Sequence, residues 1–182
     1  MKKLLALLAL TATTVAGTPA FAQNTIQDHQ RLKETLERLN VPVFVNDQEY
    51  CDDNWGGGAY VTRGSRSAIM VCQDEGKGVR DGQMVGWTAN DLDSLRHEAH
   101  HVLQDCTVGY LADGRLGTYI NEDDIVSFVK DILPQKRIAH IIETYTERGA
   151  DEETVVLELE AFAVAEAISA SQIARSLNRV CR

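Results

Sequence analysis

The residues best arranged for chemistry stand in Leu95-Arg-His-Glu-Ala-His-His-Val-Leu-Gln-Asp105, which contains His97-Glu98-x-x-His101. Histidines four apart on a helix lie one turn above each other, so both imidazoles can reach one Zn²⁺ while Glu98 beside them polarises a zinc-bound water. Such a string arises by accident on the order of once per hundred chains, so its setting has to carry the case. If residues 92–105 are helical, Leu92, Leu95, Ala99, Val102 and Leu103 form one apolar stripe and His97 and His101 lie almost opposite it. That face is either solvated or covered by a second element that brings a further metal ligand.

The elements that must position the motif follow from the rest of the chain. Lys2 and Lys3, the apolar run Leu4–Leu10 and Ala20-Phe-Ala22 have the pattern of a secretory signal peptide cleaved after Ala22. The run is too short to span a bilayer permanently, and no later segment is long and apolar enough. The expected product is an exported protein, periplasmic or secreted, with residues 23–182 as a single domain. Taking residues 1–22 and their two lysines from 182 residues with 18 basic and 27 acidic side chains leaves 160 residues and a formal charge of −11. That length suits one core, and that charge disfavours nucleic acid or anionic membrane as partner. Cys51, Cys72, Cys106 and Cys181 are an even set in a chain bound for an oxidising compartment, where thiols usually pair. Cys51 and Cys72 flank the region of candidate strands and are expected to bridge, contributing roughly 3 kcal/mol.

Residues 24–39 have the apolar spacing of an amphipathic surface helix. Residues 41–45, 59–63 and 67–72 read as three strands, with Gly64-Ser65-Arg66 as the turn between the last two. Gly56-Gly57-Gly58 lacks the Lys-Ser/Thr and helix of a phosphate loop and reads as a flexible turn. Residues 74–85 form a loop, and Thr88-Ala-Asn-Asp91 is a capping box that starts the motif helix. Helices follow over 123–133, ended by Pro134, and 135–148. Asp151-Glu-Glu153 opens a last long helix. From Val155 to Ile168 that helix is apolar all round except at Glu158, Glu160 and Glu166, so it should be buried, and a buried carboxylate needs a partner or a metal.

Glu158 and Glu160 point in nearly opposite directions, so at most one completes a site with His97 and His101. Glu160 is the expected ligand, because Ala163 and Ala167 on its face allow close helix approach, whereas Val155 and bulky Phe162 flank Glu158. Glu158 is the reserve.

With a glutamate from a later helix joining an H-E-x-x-H helix, the chain resembles the gluzincins, a group of zinc peptidases. The resemblance rests on His97, Glu98 and His101, with Glu160 in Leu159-Glu-Ala-Phe162 matching by its helical setting. Residues 50 to 165 also look like small exported bacterial proteins, many cyanobacterial, with a His-Glu-Ala-x-His segment and a later Glu-Ala-Phe. The interval between His101 and Glu160, filled by two extra helices, departs from the gluzincin pattern. The resemblance implies a zincin-like α+β fold, a small antiparallel sheet of about three strands followed by a helical bundle carrying the metal. It further implies a peptide or protein substrate, Glu98 as general base, and the strand Ala68–Val71 as the cleft wall that pairs with substrate.

Asp105, one turn beyond His101, is a candidate outer partner for it, and His100 faces elsewhere. Tyr110, Tyr119, Tyr145 and His140 are candidate oxyanion donors. The rival reading is a non-catalytic exported or envelope-associated protein whose zinc site is inactive, or structural and closed by a fourth protein ligand such as His140. Spacing also constrains the second cysteine pair. A straight last helix would carry Cys181 roughly 31 Å past Glu160, so a Cys106–Cys181 bridge requires a break near Ser169-Ala-Ser171, with Ser171 capping a helix that folds back. Without the break both thiols would be free.

Overall fold

A computed structural model describes residues 26–52, 55–109 and 111–181. The expected leader at 1–22 lies outside the described residues. The architecture is α+β: α1 (Ile26–Arg38), β1 (Val43–Val45), α2 (Gln48–Cys51), β2 (Gly57–Arg63), β3 (Arg66–Cys72), α3 (Ala89–Val108), α4 (Glu122–Ile132), α5 (Gln135–Glu147), α6 (Glu152–Ala167) and α7 (Ala170–Val180).

The sheet has the order β1-β3-β2. β2 and β3 form an antiparallel hairpin across Gly64, whose φ of +63° suits the turn. β1 runs parallel to β3, so the sheet is mixed and the expectation of a purely antiparallel one is corrected. The chain leaves β1, passes through α2 and reaches β2 beyond the far side of β3, and this crossover makes β1 and β3 run the same way.

α3 starts where its sequence says it should. Thr88 accepts from the Asp91 N–H, and the Asp91 carboxylate accepts from the Thr88 N–H. Its stripe of Leu95, Ala99, Val102 and Leu103 enters a core shared with Leu32 and Leu36 of α1, Ile69 and Val71 of β3, and Ile173 and Leu177 of α7. α1 is therefore a wall of this core, with Leu32 and Leu36 fully buried. The opposite face of α3 is covered by α6 rather than by water, and every residue from Leu95 to Asp105 is buried. A second cluster, Ile125, Val129 and Leu133 with Ile141 and Ala163, seats α4 and α5 on α6.

The last helix is broken. α6 ends at Ala167, Ile168 is extended, and Ser169 caps α7 in a box with Gln172. The cap is Ser169 instead of Ser171, because the chain turns two residues earlier than expected. Folded back on α1 and α3, α7 brings Cys181 to Cys106 with Cα atoms 5.1 Å apart, and the Cys51–Cys72 Cα atoms are 5.5 Å apart. Both disulfides are formed and no free cysteine remains among the described residues. The Cys106–Cys181 bridge spans 75 residues. Replacing both cysteines by serine is expected to lower stability by roughly 4 kcal/mol, measured by urea unfolding.

Candidate metal centre

His97 and His101 project from α3 toward α6, with their Nε2 atoms 3.1 Å apart. The His97 Nε2 lies 3.1 Å from Glu158 Oε2, and the His101 Nε2 lies 3.5 Å from Glu158 Oε1. Donor atoms on one zinc at about 2.0–2.1 Å in tetrahedral directions stand roughly 3.3 Å apart. These three groups fit that spacing. The donor atoms of His97, Glu98 and His101 all lie within 4.8 Å of one another, so Glu98 sits beside the same point.

Glu158, not Glu160, is therefore the glutamate at the histidine pair, and the expected placement of Glu160 is corrected. The size argument failed because Phe162 does not hold α3 away. Its ring lies 4.3 Å from the His97 ring and forms a wall of the site. Glu160 is fully buried on another face, where it accepts from the N–H groups of Tyr119 (2.9 Å) and Ile120 (2.6 Å) and from Gln104 Nε2 (2.8 Å).

That network nevertheless reaches the site. Gln104 also donates Nε2–H to the Leu157 carbonyl at 3.0 Å, so its amide orientation is set by two acceptors and its Oε1 must face His101. The His101 Nδ1 lies 2.7 Å from that oxygen and has to be the protonated nitrogen. Nε2 therefore points toward Glu158 and His97, donating to the carboxylate while the ring is protonated and able to offer its lone pair to a metal that displaces that proton. Sequence reasoning missed Gln104, although its i+3 spacing from His101 put it within reach. Asp105, the expected partner, instead accepts from the Tyr60 hydroxyl (2.5 Å) and the Ala112 N–H (2.9 Å).

The electrostatics favour positive charge at this point. Burial alone would push the His101 imidazole down, but the Glu158 hydrogen bond and the charges of Glu98 and Glu158 carry it up to about 9. Burial would raise the Glu158 carboxyl, and hydrogen bonds and charge from His101 and His97 hold it well below the usual range. Glu98 is raised, chiefly by burial and also by the charge of Glu158, against the lowering influence of both histidines. A carboxylate shifted upward in this way is suited to taking and returning a proton.

Glu98 is held by β2. The Tyr60 N–H donates to it, and the strand passes so close that a Cβ on Gly58 would stand 2.9 Å from Glu98 Cγ and 3.0 Å from the Met70 carbonyl oxygen. Gly58 is thus required for close approach, a need hidden in what reads as a flexible Gly-Gly-Gly turn. The same glycines line a cleft of about 410 Å³ with Trp55, His97, Glu98, Tyr145 and Phe162. β2 is a sheet edge, whereas Ala68–Val71 lies in the central strand with a neighbour on both sides. The cleft-facing edge is therefore β2, and the expectation for Ala68–Val71 is corrected.

Of the oxyanion candidates, Tyr145 reaches the site. It hydrogen-bonds Glu158, and its hydroxyl is raised by burial and then by the Glu158 charge. Tyr119 bonds Ser176 and Arg179 instead, His140 is exposed on α5 and outside the cluster, and Tyr110 lies outside the described residues. No protein-family model, curated protein or solved structure matches the chain.

The two glutamates should separate by experiment. Glu160→Ala strands three buried donors and is expected to cost at least about 3 kcal/mol in urea unfolding of metal-free protein. Glu158→Ala removes the carboxylate that keeps His101 protonated, so its cost should be largest below about pH 6.5 and fade as the pH rises through about 9, in the same measurement. Gly58→Ala should cost roughly 1–3 kcal/mol by overpacking against Glu98 and Met70, in the same measurement.

Proposed function

We propose that this chain is an exported zinc-dependent peptidase of zincin-like fold, with His97, His101 and Glu158 as protein ligands and Glu98 as general base. The observation that carries the reading is the convergence of two Nε2 atoms and one carboxylate at 3.1–3.5 Å, with a second carboxylate beside them, at an accessible cleft. Three protein ligands at an open site suit catalysis better than a closed structural centre, and His140 is not placed to close it. Export is supported by the sequence pattern of residues 1–22 and by the two disulfides.

A zinc bound by His97, His101 and Glu158 would supply a water of lowered pKa and Lewis acidity toward the scissile carbonyl. Glu98, buried and of raised pKa, is the group beside that point that would accept a proton from the attacking water and return it to the leaving amine. Tyr145, across the cleft on α5, donates to the developing oxyanion. The outer edge of β2 pairs with an extended peptide, and Gly57 and Gly58, lacking side chains, let the substrate backbone come close.

Metal analysis of purified protein is expected to find about one zinc per chain. His97→Ala, His101→Ala and Glu158→Ala should lose it, while Glu98→Gln keeps it and abolishes peptide hydrolysis. Tyr145→Phe should keep zinc and lower kcat by about 10²-fold with KM little changed. Zinc retained by Glu158→Ala, or activity retained by Glu98→Gln, would remove these assignments.

A further inference from the structure

A second cavity, of about 540 Å³, opens between α3, α4, α6 and α7, and the proposed hydrolysis makes no use of it. Its floor is aliphatic and aromatic, with Leu103, Ile120, Phe128 and Ile173. Among the described residues the charged side chains lining it are Arg175 and Arg179, four apart on α7 and therefore on one side of that helix. Both are exposed, and neither has an acidic partner among the described residues. An acid-free cationic rim is notable in a chain with 27 acidic and 18 basic side chains. Arg179 Nη2 donates to the Tyr119 hydroxyl at 2.6 Å, and that hydroxyl lies 3.2 Å from Ser176 Oγ, so the rim also offers hydroxyl groups.

The inner wall carries an independent sign of a ligand. His100 is fully buried and lines the cavity. Its Nε2 faces Glu160 at 3.4 Å without forming a well-directed hydrogen bond, and its Nδ1 has no hydrogen-bond partner. A buried polar atom left unsatisfied costs about 1–3 kcal/mol, which is removed if a small turn of the His100 ring toward the cavity lets its occupant bring a polar atom to it. An apolar body, an anionic outer end and an oxygen atom for the inner end together describe one chemical class.

We propose that this cavity binds a medium-chain aliphatic carboxylate whose chain carries a hydroxyl or oxo group. The carboxylate sits between Arg175 and Arg179, the alkyl body lies on the apolar floor, and the chain oxygen meets His100 Nδ1. Guanidinium groups suit a carboxylate because their donors match its two oxygens.

Calorimetric titration of the purified, disulfide-bonded protein with 10-hydroxydecanoate, decanoate and decane-1,10-diol tests this. One molecule of 10-hydroxydecanoate should bind per chain, at least tenfold more tightly than the uncharged diol and severalfold more tightly than decanoate. Arg175→Gln with Arg179→Gln, both exposed and remote from the core, should erase the preference for the acid over the diol. Ser176→Trp at the rim should block all three, with unchanged urea unfolding confirming an intact fold. The His100 ring resonances should shift on binding. Equal affinity for acid and diol, equal affinity for the two acids, binding that survives Ser176→Trp, unmoved His100 resonances, or no binding at millimolar concentration would each overturn the proposal. The zinc content and hydrolysis of the arginine variant should match wild type, so this test is separate from that of the metal centre.

Discussion

The polar middle of α3 is the constraint on which the rest of the structure depends. From Leu95 to Asp105 every side chain is buried, and seven of the eleven are polar or charged. Each such group would cost more than a typical hydrogen bond returns if it were left alone. The partners come from α1, β2, α6 and the loop after α3. Arg96 donates to the Ala165 carbonyl of α6 and contacts His29 of α1, Glu98 accepts from β2, and Asp105 binds Tyr60 of β2 and the backbone at Ala112. The apolar stripe of α3 supplies the attraction that gathers these elements, and its polar groups decide where each one docks.

α6 shows how one helix meets two polar demands at once. Glu158 and Glu160 are two positions apart and face in different directions. Glu158 stands at the histidine pair, and Glu160 ties down the Tyr119–Ile120 backbone and orients Gln104. The helix has almost no net apolar side because both flanks are occupied, by α3 on one and by α4 and α5 on the other. The orientation of His101 at the candidate metal point thus depends on a carboxylate that stands away from that point.

The motif helix, its capping box, the three strands and the Cys51–Cys72 bridge are legible because each has a local signal of spacing, a cap or a turn residue, whereas reach limits tie the Cys106–Cys181 bridge to a break after α6 without deciding that either occurs. The choice between Glu158 and Glu160 is not legible. It depends on the rotation of α6 about its own axis, and an apolar-all-round sequence leaves that rotation undetermined. Side-chain bulk misled, since Phe162 packs against His97 as a wall. The direction of β1 was hidden for a related reason, because three residues of strand carry no mark of which neighbour they will join. Gly58 was visible as a glycine, but the need for it arises only once Glu98 is packed on the strand.

Because two independent polar locks set the rotation of α6, sequence drift in this chain should be uneven. Adding or deleting a single residue inside α6 turns everything beyond it by about 100°. Such a change between Arg96's acceptor at Ala165 and the two glutamates would break one attachment to keep the other. A change of length in the turn at Gly149, before the helix begins, leaves all of these relations intact. Descendants of this fold are therefore expected to vary in the loop that enters α6 and to keep the count of residues within it.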